Sequence, residues 1–280
     1  MTTPNVPIVN QGLLYVNNMQ MSAGALNADN LTTATLIIQP GQCRDSTDTN
    51  DIDLSAAATL NPVASNTGKV NGLDVGTIAI DVLYAVYVIA DSTQYRTAGT
   101  LLSTNFTTPT LPFGYDMFRR VGAVFTAHAA ARFVYFHQRG NGAVRDMWYA
   151  YNNQCLGAGN ATVLTAINLT GAAGNVANQV PLTASKAYIY AQLTADAGGR
   201  REAIFSADAT VTVANGGAIE ANPGTGEVIM SAATSTIVDA SLIVPVTASA
   251  GPVLPMQTFY AVSNGAAALN VSVQGYQDLL

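Results

Sequence analysis

Between Leu83 and Tyr151 large apolar residues alternate with small or polar ones. Three stretches carry the pattern: LYAVYVIADS (83–92), RRVGAVFTA (119–127) and RFVYFHQRGNGAVRDMWYAY (132–151). A two-residue period sends successive side chains to opposite faces, which is strand geometry and not helix geometry. Alanine is abundant, but it sits among Gly, Thr and Val without a sustained 3.6-residue period, so propensity alone does not make helices here. No heptad pattern or internal repeat is visible. The expected fold is all-β: two β-sandwich or barrel-like domains with long Gly/Asn/Thr-rich loops and little helix.

Residues 1–12, with two prolines and several Asn/Gln, read as an extended arm. A short strand or two follows over 12–24, with a turn at Asn17–Asn18, and a β-branched strand ends at Pro40–Gly41. Residues 55–73 are small, polar and broken by Pro and Gly, as expected of a long loop. Val82–Ala90 is apolar on both faces, which predicts a central strand. Pro109, Pro112 and Gly114 make a rigid crossing into a strand over Met117–Phe125. The segment TAHAAAR (126–132) is expected to form one helical turn or a loop. Phe133–Gln138 and Val144–Tyr151 read as a hairpin closed by Arg139-Gly-Asn-Gly.

After Tyr151 the aromatic block gives way to Gly, Ala and Asn. The expected division is an N-terminal docking and oligomerisation domain over 1–157 and a C-terminal β-sandwich over 158–280. Short strands are expected there at Thr162–Leu169, Ala187–Leu193, Thr210–Ala214, Glu227–Ala232, Thr236–Val246, Thr258–Val262 and Leu269–Gly275.

Only 10% of the 280 residues are charged, against about a quarter in an ordinary domain. The polar surface is therefore Ser, Thr, Asn and Gln, which is cheaper to desolvate than charge and suits burial between subunits. Lysine occurs only at Lys69 and Lys186, so the usual lysine guard on exposed strand edges is missing. The net charge of −6 argues against nucleic acid as a partner. The pairs Arg119–Arg120 and Arg200–Arg201 read as one salt-bridged and one exposed residue each, because neighbours in a strand face opposite sides. The N-terminal sequence lacks a secretory pattern, and no apolar run approaches the roughly 18 residues of a membrane span, so no membrane insertion is expected.

No catalytic motif is present. The G-x-S-x-G elbow, the P-loop and G-x-G-x-x-G are missing, and no cofactor is expected. His128 and His137 are the only histidines, and His137, inside FVYFHQ, reads as structural. The three glutamates, Glu202, Glu220 and Glu227, lack an aromatic platform that would suit glycosidase chemistry. Trp148, between Met147 and Tyr149, reads as core. Asp45, Asp48, Asp51 and Asp53 are the only metal candidates, but their spacing fails the calcium-loop pattern, and turn capping by Asp/Ser/Thr/Asn is the favoured reading. Cys43 and Cys155 fit either one disulfide or two buried thiols, with thiols favoured. The N-x-[ST] triplets at Asn105 and Asn168 carry no weight in a chain this rich in Asn and Thr.

QPGQCRDSTDTNDIDL (39–54) and the stretch from Gly72 to Ala127 resemble a group of tailed-bacteriophage proteins described as virion, tail or fibre-associated. The matching residues are Arg44–Thr47, Gly72–Asp74, Tyr84–Ile89, Pro109–Tyr115 and Arg119–Gly122, and LNVSVQGY (269–276) resembles the close of such chains. The resemblance implies a virion structural protein in a tail or fibre-associated appendage. It would assemble in the host cytoplasm as a homo-oligomer with other virion proteins, and Arg44 would tie to a carboxylate. A head decoration protein is the alternative position. A carbohydrate-binding or depolymerising module acting on a host-surface glycan is the alternative of another class.

Overall fold

The computed structural model describes residues 16–127, 131–140, 142–159, 165–169, 179–194, 201–206, 228–232, 236–248, 256–262 and 268–280. It is nearly all β; the one helical segment among the described residues is a short 3-10 turn at Ala64–Asn66. No helix there is long and apolar enough to cross a membrane. The expected arm, residues 128–130 of the TAHAAAR segment, and the Thr210–Ala214 strand lie outside the described residues.

The strand Leu83–Ala90 is buried along its whole length. It runs antiparallel to Met117–Phe125 on one side and to Gly99–Ser103 on the other, and Gly72–Leu73 adds in parallel beyond the latter. Its apolar residues on both faces are what a strand covered on both faces requires. The register slips between Arg120 and Gly122, leaving Val121 as a bulge. A bulge leaves one residue outside the ladder, and the freed Val121 carbonyl finds another partner, described below.

The N-terminal part is a three-run meander bent in the middle. Val16–Asn18 and Met21–Ala23 pair with Gly41–Arg44 and Leu36–Ile38, which in turn pair with Asp51–Leu54 and Ala58–Leu60. The corner lies at Asn18 and Met19, whose φ values are +60° and +52°, one position later than the Asn17–Asn18 turn expected. The Asn18 side-chain amide donates to the Pro40 carbonyl, joining the two bends. The supposed loop over 55–73 therefore contains strands Ala58–Leu60 and Gly72–Leu73. Their small side chains pair against neighbours that a local reading cannot see.

Two further sheets form a sandwich. One has the order Phe136–Arg139, Val144–Gly159, Ala268–Leu279, Ala184–Thr194, Ile237–Pro245; the other contains Thr165–Asn168, Met256–Val262, Arg201–Ser206 and Val228–Ala232. Ala203 and Phe205 of the second share a core with Ile189, Ala191, Leu193, Leu269, Val271 and Val273 of the first. That core continues without a break into the meander and the Leu83–Ala90 sheet. The strand Val144–Gly159 runs through residue 157, and its partner is the C-terminal strand. Tyr276 donates to the Ala123 carbonyl at 2.9 Å, and the Phe125, Tyr149 and Tyr276 rings pack edge to face or tilted between the two parts.

The predicted hairpin forms between Phe136–Arg139 and the strand starting at Val144. Its first arm is broken before Phe136, because Phe133–Val134 pairs instead with Thr32–Thr33. Arg201–Ser206 is a strand that periodicity missed.

Candidate functional site

The acidic segment folds as a capped turn. Asp45 is buried, and its carboxylate accepts from the Thr49 amide at 3.0 Å, from the Thr47 hydroxyl at 2.9 Å and from the Asn50 side-chain amide at 2.9 Å. Burial works against its ionised form, but the hydrogen bonds from Asn50, Thr49 and Thr47 outweigh it and hold the carboxyl below the usual range. The stability it contributes is therefore present at neutral pH and is lost as pH falls through that lowered value. Asp48 pairs with Arg119 at 3.2 Å, and Asp51 with Arg44 at 3.0 Å. Arg44 thus ties to a carboxylate, its cross-strand neighbour. Asp53 is exposed on the strand beyond. Among the described residues, no group of three or more His, Cys, Asp or Glu could hold a metal ion.

Both members of the Arg119–Arg120 pair are buried, contrary to the expectation of one exposed residue. Their strand is covered on both faces, so opposite directions lead to two interiors. Arg119 reaches the 45–48 turn, and Arg120 makes a two-pronged contact with Asp278 at 2.6 and 3.3 Å. Arg200 lies outside the described residues.

Arg145 is fully buried. Its guanidinium donates to the carbonyls of Asn18, Met19, Val121 and Gly142. These carbonyls belong to the meander corner, the bulge and the hairpin loop, three places where the backbone leaves its ladder. A planar fork of five N–H donors suits that task. Nothing in the spacing of Arg145 announces it.

Two loops rest on this scaffold and form the most exposed apolar feature among the described residues. Tyr95 is 91% exposed and Phe113 is 92% exposed. The loop after Ala90 is held by Asp91, which accepts from the Thr93 amide at 2.9 Å, and by Asp116, which accepts from the Ser92 amide at 2.8 Å. The Tyr115 hydroxyl donates to the Thr97 carbonyl at 3.0 Å. The Arg96 guanidinium carbon lies 5.7 Å from the Phe113 ring centroid and 6.0 Å from that of Tyr115. Gly114 has φ +84°, and a β-carbon there would stand 2.2 Å from Arg96 Nε. Only glycine lets the guanidinium lie between the two rings. The tip thus presents two bare rings and a planar cation on a backbone already ordered by hydrogen bonds.

A second exposed surface is the outer face of the five-stranded sheet. His137, Trp148, Gly275, Tyr188 and Ile243 lie directly opposite one another across it, so they share a face. Trp148 is therefore not core. Met147 and Tyr149 on either side are buried, and strand alternation sends Trp148 the other way. Its ring stacks on Tyr188 with 4.1 Å between centroids. Between them, a β-carbon on Gly275 would stand 1.9 Å from the Met147 carbonyl oxygen. The Tyr188 hydroxyl donates to Asp146, Gln192 donates to Asp239 at 3.1 Å and Asn270 donates to Gln192 at 3.1 Å. His137 is exposed and packs edge-on against Tyr135. His128, Glu220 and Glu227 lie outside the described residues, as does the side chain of Glu202.

Cys43 and Cys155 are both free thiols. Burial pushes the Cys43 thiol up to about 12, which keeps it protonated and unreactive in the folded chain at neutral pH. Iodoacetamide at pH 8 is expected to leave Cys43 unlabelled in the native protein and to label it fully in denaturant, as read by peptide mapping. Rapid native labelling of Cys43 would contradict its burial.

Comparison of the chain with protein-family models, with curated proteins and with solved structures finds no match.

Proposed function

We propose that this chain is a structural component of a tailed-phage particle, a tail or fibre-associated protein that works by protein–protein assembly. The observation that supports it best is the tip: Tyr95 and Phe113, each more than nine-tenths exposed, beside Arg96 on ordered loops. Aromatic residues and arginine dominate the energetics of protein interfaces, and burying one such ring is worth about 1.5–3 kcal/mol. Pre-ordering of the loops lowers the entropy lost on docking. The charge-poor surface acts in the same direction. Phe113 and Tyr115 also fall within the Pro109–Tyr115 stretch that resembles phage virion proteins.

The test is incorporation. Purified particles of the encoding phage are expected to contain the chain at a fixed stoichiometry by mass spectrometry. A Tyr95→Ser/Phe113→Ser variant is expected to keep its melting temperature and to be depleted from particles at least about tenfold, the consequence of losing two ring contacts. Particles without the chain would end this reading.

The outer sheet face supports a second reading, a glycan-binding module. The half-buried Trp148 and Tyr190 stand there, with Tyr188 buried against the Trp148 ring, beside Asp146, Asp239, Gln192 and Asn270, and sugars are held by aromatic faces and planar polar groups together. A glycan array with the Trp148→Ala variant as control tests it; no wild-type signal removes it.

A further inference from the structure

The tip stands on a fixed base. Every residue from 16 to 127 is described, so no undescribed stretch adjoins its loops at 91–98 and 104–116. Leu111, Tyr115 and Phe118 pack on the buried cluster of Ala85, Tyr87, Ile89 and Leu101, while the Tyr95 and Phe113 rings stay bare in a single copy. Arg96 is exposed, and its guanidinium lies over two ring faces. That arrangement leaves the N–H donors in the guanidinium plane available to carbonyl oxygens. Asp91 and Asp116 brace the same loops, so the tip carries no excess of positive charge that would draw an acidic partner. Ring faces, a fork of donors and balanced charge fit an uncharged, extended segment with open carbonyls.

A polyproline II segment has that character. It makes no internal hydrogen bonds, its carbonyls are open, and P-x-x-P sequences dock on exposed aromatic side chains in this form. The chain contains Pro4-Asn-Val-Pro7, Pro109-Thr-Leu-Pro112 and Pro252-Val-Leu-Pro255. Pro109 and Pro112 are buried inside the tip's own loop. Residues 252–255 are enclosed by the pairing of Ala248 with Met256. Pro4–Pro7 belongs to residues 1–15, which hold no charged side chain, so covering it costs little desolvation. Its attachment point is also favourable. Val16 lies opposite Cys43 in an antiparallel pair, so the chain before Val16 enters from the side of Arg44 and the 45–50 turn. The Ser46 amide of that turn donates to the Phe118 carbonyl at 2.7 Å, in the strand that leads out of the tip. The segment therefore joins the fold at the end that carries the tip. Extended, the stretch from Pro4 to Val16 reaches up to about 40 Å, enough to cross to an adjacent copy.

We propose that Pro4–Pro7 of one copy docks on Tyr95, Phe113 and Arg96 of a neighbouring copy, with proline rings on the aromatic faces and the intervening carbonyls accepting from Arg96. The contact is assigned to a neighbour because both rings are bare in one copy. A proline-stiffened segment and hydrogen-bonded loops each lose little freedom on docking. Each copy offers one arm and one tip, so the contact is heterologous and closes into a ring or continues as a filament. The inference rests on the assembly reading and names the occupant of its tip.

Sedimentation velocity of the whole chain at micromolar concentration is expected to show an oligomer. A Pro4→Gly/Pro7→Gly variant and the Tyr95→Ser/Phe113→Ser variant are each expected to weaken association at least about tenfold, with an unchanged thermal melt. Mixing tests the exchange directly. The proline variant keeps its tip and the ring variant keeps its arm. An equal mixture is therefore expected to form a one-to-one dimer at a concentration where neither associates alone. A wild-type chain that is monomeric throughout the micromolar range overturns the proposal. So does an oligomer that survives either pair of substitutions, or a mixture that stays monomeric. If the ring variant is nonetheless depleted from particles, the assembly reading stands and another partner occupies the tip.

Discussion

Replacing Asp278 with alanine is expected to destabilise the protein by about 3–5 kcal/mol, the range for breaking one partner out of a buried ion pair. Asp278 is 1% exposed, accepts from both Arg120 terminal nitrogens and takes a further hydrogen bond from the Thr183 hydroxyl at 2.6 Å. Without it, Arg120 keeps, among the described residues, the Leu279 carbonyl at 2.6 Å in a site where the side chain is largely buried. Arg145 loses the carboxylate that offsets its own buried charge. In a chain of this size the loss corresponds to a fall in Tm of roughly 10 °C. Urea unfolding of the Asp278→Ala and Asp278→Asn proteins measures it. A similar loss in both assigns the effect to charge, and a change below about 1 kcal/mol in either would falsify the account. Replacing both partners, Arg120→Met with Asp278→Leu, is expected to recover most of the loss, since a buried pair exchanged for apolar groups of like volume is often neutral.

Arg145→Met is expected to cost about 3 kcal/mol or more, although methionine fills much of the same space. Buried acceptors left unpaired cost about 1–3 kcal/mol each, and this change strands carbonyls at the corner, the bulge and the hairpin loop at once. One term runs the other way. Burial pulls the Arg145 guanidinium down to about 10, so its charge is held at a cost at every pH below that, and methionine relieves this cost. The prediction is that the four lost acceptor contacts outweigh it. Arg145→Lys is expected to recover only part of the loss, because an ammonium offers three donors at a point and not a fork of five. Hydrogen exchange locates the damage: amides near Met19, Val121 and Ala143 are expected to lose protection together, and fading at only one of the three places would show that Arg145 does not join them.

Much of the strand content was legible. Met117–Phe125 forms a strand with the expected ends, and the apolar faces of Leu83–Ala90 announced its central place. The Asp45 turn was legible too, because Asp, Thr and Asn bond their own backbone over a few residues. What local pattern could not show were features made between distant segments. Trp148 read as core from its neighbours Met147 and Tyr149, though alternation itself puts it opposite them. Gly275, whose lack of a β-carbon lets its strand close on the Met147 backbone beside the Trp148–Tyr188 stack, is 127 positions from Trp148 and gives no local signal. The tip was legible only as a rigid Pro/Gly crossing; its pairing with the 91–97 loop comes from the Ser92–Asp116 and Tyr115–Thr97 bonds.

By itself, the chain's two-residue periodicity determined that this protein is built of strands, and its scarcity of charge determined a surface of amides and hydroxyls. Only the tertiary structure decided which strands meet, that both arginines of one pair are interior and that Arg145 gathers carbonyls from three bends. The reason is range. Alternation is a property of neighbouring residues, whereas register, burial on a second face and the partner of a freed carbonyl depend on segments brought together from farther along the chain, from 24 residues between Val121 and Arg145 to 158 between Arg120 and Asp278.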